Sequence, residues 1–252
     1  MPRPDASPRA LPRASGIVVY LVLLIAAVLL FGLWPQLDLL VSGFARDLSG
    51  GEFQLKGGDW RWLYRGTRPF FLGLSAVVGL IGLLALLLRR PLAWLTPRKA
   101  IFVLLAFGVT QGLVVDLYLK SVFGRARPRA LAEFGGDSTF TPFYLVSEQC
   151  SSNCSFVSGH AAMVFALFAF AFVAPQRWRR LVFWLVLVAG AVAGWARIVQ
   201  GAHFASDIVF AGLVTYGATW LIALLLLRHE IGGRWLERRL GNARRAASRV
   251  PA

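Results

Sequence analysis

Six runs of this 252-residue chain, 17–34, 70–88, 101–119, 159–174, 181–196 and 208–227, are almost free of charge and rich in Leu, Val, Ala and Phe. A run of about 20 such residues crosses a bilayer as a helix, because in hydrocarbon every backbone N–H and C=O must be satisfied within its own segment. The expected fold is therefore all-α, a polytopic membrane protein with six transmembrane helices. Hydrophobic residues make up 57% of the chain and charged residues 15%, with a mean hydropathy of +0.63, a balance that excludes a soluble globule. The runs 159–174 and 181–196 are short for a span, and each is expected to borrow a turn from the polar motif beside it. No convincing small-residue cleavage site follows the first run, so it reads as a retained helix rather than a signal peptide.

The formal net charge is +15, which by itself would suit a nucleic-acid binder. The basic residues, however, fall in short clusters between apolar runs, the pattern of topology-setting charge and anionic-lipid contact, and nucleic acid is not an expected partner. Arg3, Arg9 and Arg13 precede the first run; Arg89, Arg90, Arg98 and Lys99 follow the second; Arg177, Arg179 and Arg180 follow the fourth; a further arginine-rich stretch, 228–249, follows the sixth. Both termini are then expected on the cytoplasmic side. Residues 1–15, with four prolines and no apolar period, read as a disordered basic arm, 16–228 as the membrane domain, and 229–252 as a basic cytoplasmic tail. Segment 36–68 mixes aromatic residues with both signs of charge, and its Trp60 to Tyr64 run reads as an interfacial belt.

Three polar stretches fall on the other, outward face. In the first, Lys120 closes the third run and Arg127 lies two helical turns on if the helix continues, a point charge and a planar fork suited to one phosphate. Arg125 and Arg129 read as headgroup snorkelling, an alternative open for the whole stretch. In the second, Ser158 and Gly159 open the fourth run, where a hydroxyl, a closely approached backbone and a helix N-terminus favour an anion, and His160 is placed to give a proton to a leaving oxygen. In the third, His203 and Asp207 are four apart and would share a helix face, the carboxylate orienting the imidazole for attack on phosphorus, with Arg197 reaching over from the fifth run. A purely structural His–Asp pair is the bland alternative. Asp116, one turn before Lys120, is expected to pair with a site cation.

Together the three spacings resemble the type 2 phosphatidic acid phosphatase family, the lipid phosphate phosphatases. Lys120 with Arg127-Pro128 matches the first family motif in full. Ser158-Gly159-His160 matches the second, with Val157 where proline is usual, and Arg197, His203 and Asp207 match the third, with Ala196 where serine is usual. The resemblance covers about 101–227. It implies a helical fold with His203 as nucleophile, forming a phosphohistidine, Asp207 orienting it and His160 as general acid. It further implies that Lys120, Arg127, Arg197, Ser158 and Gly159 bind the phosphate. No metal or other cofactor is implied, and the sequence lacks the carboxylate cluster that a hard cation needs. Val157 removes a rigid helix entry but no donor, and Ala196 removes a hydroxyl worth on the order of 1 kcal/mol if it contacts phosphate.

On the outward face oxidation is permitted, and Cys150 and Cys154, just ahead of the second motif, are expected to form a disulfide in preference to free thiols or a zinc site. The run Cys154 to Gly159 resembles a subgroup of bacterial lipid A 4'-phosphatases. That ranks lipid A dephosphorylation first, ahead of undecaprenyl pyrophosphate or phosphatidylglycerol phosphate, with the site facing the periplasm from the inner membrane. The competing class is a non-catalytic lipid-binding or transport protein, which would be expected to show broken helices or paired repeats. Oligomeric state has no signature in the chain.

Overall fold

The computed structural model describes residues 14–54, 61–92 and 94–247, and among these the chain is helical with no strand. The expected disordered arm falls almost wholly outside them, as does Trp60 of the expected interfacial belt. In chain order the helices are α1 (Ala14–Leu33), α2 (Gln36–Leu48), α3 (Arg61–Leu87) and α4 (Pro97–Phe107). A π-helical stretch, Gly108–Leu119, then runs into α5 (Lys120–Val122), and α6 (Gly159–Ala166), α7 (Phe168–Val173), α8 (Gln176–Val199) and α9 (Ala205–Ala247) follow.

Among the described residues, five helical segments are long and apolar enough to cross a membrane: Gly16–Leu33, Arg65–Leu87, Pro97–Val122, Gln176–Val199 and Ala205–Leu227. The run expected to be the fourth span is different. It forms α6 and α7, together Gly159–Val173, interrupted at Leu167. At 1.5 Å per residue its 15 positions reach about 22 Å, less than the ~30 Å of hydrocarbon. No turn is borrowed at its start, because Ser158 holds extended backbone as N-cap, and none at its end, where Ala174 and Pro175 leave the helix. The fifth run does lengthen as expected, with α8 ending at Val199 and so carrying Arg197 on its last turn.

The packing explains why a short segment suffices. Val18, Val19, Val22 and Leu29 on α1, and Trp184, Leu185 and Val188 on α8, are exposed, the arrangement of a surface solvated by acyl chains. In α6, by contrast, Gly159, Ala161, Ala162, Met163, Phe165 and Ala166 are buried, packed against α8, α9 and the π-helical stretch. Small residues allow that approach: a Cβ at Gly190 of α8 would lie 2.1 Å from the Phe165 ring, and one at Gly194 would lie 2.2 Å from Ile208. The short helix is the centre of the bundle, and the longer helices shield it from lipid.

Candidate active site

Between α8 and α9 the chain turns sharply at Gly201, whose φ of +58° is in the left-handed region that glycine adopts without a Cβ penalty. His203 follows in this turn, 2% exposed. It precedes α9 rather than sharing a helix face with Asp207, contrary to the expectation from their four-residue spacing. Asp207 lies in the first turn of α9, and its Oδ2 accepts the Phe204 amide at 2.9 Å. The carboxylate therefore holds the entry to α9 while remaining near the imidazole. His203 Nδ1 lies 2.7 Å from the Ser155 carbonyl and 3.5 Å from Asp207 Oδ2. A carbonyl can only accept, so Nδ1 carries the proton and Nε2 keeps its lone pair.

Asp207 is itself tied down by a network that the sequence did not disclose. Ser155 Oγ donates to its Oδ2, and Arg125 Nη1 donates to its Oδ1 at 2.8 Å. Arg125 does not snorkel to headgroups: it is 1% exposed, with its guanidinium over the Phe204 ring, and its Nη2 pairs with Asp38 Oδ2 at 2.8 Å. Asp38, from α2, also accepts the amide and hydroxyl of Ser206. One guanidinium thus joins two buried carboxylates separated by most of the chain. Burial pushes the Asp38 carboxyl up from its ordinary value against the pull of Arg125. No spacing rule links Asp38 to Arg125, and Ser155 acts on His203 through a main-chain carbonyl common to every residue.

The other motif residues meet at a cavity of about 660 Å³, within the range of ligand-binding clefts. Lys120, Arg127, Gly159, His160, Arg197 and His203 all line it. The helix bearing Lys120 does not continue to Arg127, however. It ends after Val122, and Gly124, at φ +53°, turns the chain under the Ser147 carbonyl, which would lie 1.7 Å from any Cβ there. That turn sends Arg125 into the core and Arg127 to the cavity. Lys120 Nζ pairs with Asp116 at 2.8 Å, and a Cβ at Gly159 would lie 2.7 Å from that ammonium, so glycine keeps the space it occupies. Ser158 is fully buried and does not line the cavity; its Oγ accepts the Ala161 amide at 3.5 Å as a helix cap.

Arg127 is held from two sides, by the Ala202 carbonyl at 3.3 Å and the Asn153 carbonyl at 2.6 Å. Asn153 lies inside the small ring closed by a bond between Cys150 and Cys154. Arg197 Nη1 donates to the side-chain oxygen of buried Gln200, a partner absent from the sequence reading. Burial, together with the charges of Arg127 and Arg197, pushes His203 down to about 3 against the raising effect of Asp207. The imidazole is neutral at physiological pH, its protonated Nδ1 turned to protein. A neutral imidazole, several cations and a second histidine around one cavity suit phosphoryl transfer.

Comparison with known proteins bears on the whole of this arrangement. Residues 97–230 match the model of the PAP2 superfamily. The chain is 36% identical over 221 residues to the lipid A 4'-phosphatase of Francisella tularensis subsp. novicida (strain U112), covering 85% of this chain and 97% of that protein. It is 36% identical over 115 residues to the lipid A 4'-phosphatase of Rhizobium leguminosarum, covering 44% of this chain and 48% of that protein. It is 40% identical over 111 residues to the lipid A 1-phosphatase of Rhizobium etli (strain ATCC 51251 / DSM 11541 / JCM 21823 / NBRC 15573 / CFN 42), covering 43% of this chain and 42% of that protein. No solved structure matches the chain.

Proposed function

The chain belongs to the PAP2 superfamily, and from that premise we propose that it is a membrane lipid phosphatase that dephosphorylates lipid A through a phosphohistidine on His203. The observation that carries the mechanism is the neutral His203, with Nδ1 committed to the Ser155 carbonyl, beside Arg127 and Arg197 on one cavity.

Lys120, Arg127 and Arg197 hold the phosphate oxygens and offset the charge that develops on them. His203 Nε2 attacks phosphorus, the ester P–O bond breaks, and the leaving oxygen takes a proton from His160, so that the dephosphorylated lipid departs neutral at that oxygen. Positive charge on the phosphorylated ring is countered by the Asp207 carboxylate, whose Oδ2 lies 3.5 Å from Nδ1, while the Nδ1–H donates to the Ser155 carbonyl. His160, now neutral, accepts a proton from water, whose oxygen attacks phosphorus; the P–N bond breaks and inorganic phosphate leaves. No step requires a metal.

The proposed topology has six crossings, with both termini cytoplasmic and the site at the periplasmic rim of the inner membrane. Supporting it, the cavity gathers Lys120 from the end of the third crossing, Gly159 from the start of the fourth and Arg197 from the end of the fifth. A fifth crossing that ends at the cavity face begins at the opposite face. In this topology the short α6–α7 segment is the fourth crossing.

Phosphate release from lipid A by the purified protein in detergent, with chelator present, tests the reading. Release is expected from the wild type and loss on the order of a thousandfold or more from His203→Ala. Unchanged release from that variant would remove His203 as nucleophile.

A further inference from the structure

Two arginines on the cavity wall belong to none of the three phosphatase motifs. Arg68 comes from α3, ahead of the segment that matches the family, and Arg129 follows Arg127-Pro128. Arg68 is three residues before Phe71 and so shares its helix face. Phe71 is buried, its ring 4.3 Å from that of Phe107, and this packing fixes the side of α3 that faces the bundle. Arg129 is pinned through its backbone: its amide donates to the Gly201 carbonyl at 3.0 Å, and a Cβ on Gly201 would come within 2.9 Å of the Arg129 Cβ. It is therefore built onto the turn that carries His203.

The charge balance separates two tasks. The three motif cations on the wall, Lys120, Arg127 and Arg197, already suffice in number for one phosphate monoester at about −2. Arg68 and Arg129 raise the wall by about +2 more, and among the described residues no carboxylate other than Asp116 lines the cavity. Five cations crowded around one phosphate would repel one another beyond what that phosphate neutralises. We propose that Arg68 and Arg129 form a second anion subsite, which takes another phosphate of the same lipid headgroup while the first lies at His203. This rests on the phosphatase reading for the identity of the lipid. The names of the relatives, 1-phosphatase and 4'-phosphatase, refer to phosphates at two positions of lipid A.

The test is made by binding in a His203→Ala background, so that catalysis does not enter. Lipid A carrying both phosphates and lipid A carrying only the one removed are presented in detergent micelles. The doubly phosphorylated lipid is expected to bind at least tenfold more tightly. Arg68→Ala and Arg129→Ala should each reduce that preference several-fold and together abolish it, while Arg68→Lys and Arg129→Lys retain part of it. Unfolding midpoints of all variants verify that the fold persists. Equal binding of the two lipids, or a preference that survives both alanine changes, overturns the subsite. Tighter binding of the singly phosphorylated lipid on adding inorganic phosphate would mark a site for free phosphate and overturn the assignment to lipid. If wild-type protein releases phosphate from neither lipid, the phosphatase reading fails, and the binding comparison still decides the subsite.

Discussion

Arg125 and Arg127 are two residues apart, carry the same side chain, and have separate tasks. Removing the Arg125 guanidinium leaves Asp38 and Asp207 buried, at 1% and 0% exposure, without the cation that pairs them. Breaking a buried pair costs about 3–5 kcal/mol, so Arg125→Ala should lower the unfolding midpoint by many degrees and lose activity with the fold. Arg127 donates to the Ala202 and Asn153 carbonyls and lines the cavity, and Arg127→Ala should lower the midpoint less than Arg125→Ala does while lowering kcat/KM by about 10²–10³-fold, the effect of losing one donor to a developing oxyanion. Thermal unfolding beside steady-state kinetics checks the pair, and equal midpoints would show that the Asp38–Arg125–Asp207 network does not hold the fold. Val157 and Ala196, the two departures from the family pattern, are both buried, and neither lines the cavity.

At the scale of elements, the loop between α5 and α6 places a cation by means of a covalent ring. The Asn153 carbonyl that holds Arg127 lies between Cys150 and Cys154, so opening the ring frees the acceptor without touching the arginine. Cys150→Ser with Cys154→Ser should lower kcat/KM roughly tenfold, the equivalent of about 1.4 kcal/mol, and leave residual activity because the Arg127 charge remains. Intact mass should rise by two hydrogens on reduction of the wild type, and full activity after that reduction would remove the ring from the account. The helices and the motif side chains were legible because an apolar run has a length and a charged residue at its rim is conspicuous. The loop was legible only in part. Its fold depends on Gly124 passing beneath the Ser147 carbonyl and on main-chain acceptors at Asn153, Ala202 and Ser155, and a carbonyl has no signature in a sequence. The fourth run was legible as a helix but not as a buried one, for a related reason: hydropathy measures how oily a segment is, not whether lipid or protein receives it.

For the whole molecule, the family segment begins at residue 97, yet Asp38 on α2 completes the environment of Asp207 and Arg68 on α3 forms part of the cavity wall. A chain shortened to begin at 97 should therefore reach the membrane but show no phosphate release, with Arg125 half-paired. Retained turnover by that shortened chain would mean that α2 and α3 are dispensable. The same pairing predicts how the protein tolerates being divided. Asp38 and Arg125 are a matched plug and socket, buried once joined and incompatible with lipid apart, so a polypeptide cut between α2 and α3 would have a built-in reason to reassociate when its two pieces are made together. A split form of the protein would then report the meeting of its halves by regained turnover, with Asp38→Asn as the piece that no longer fits.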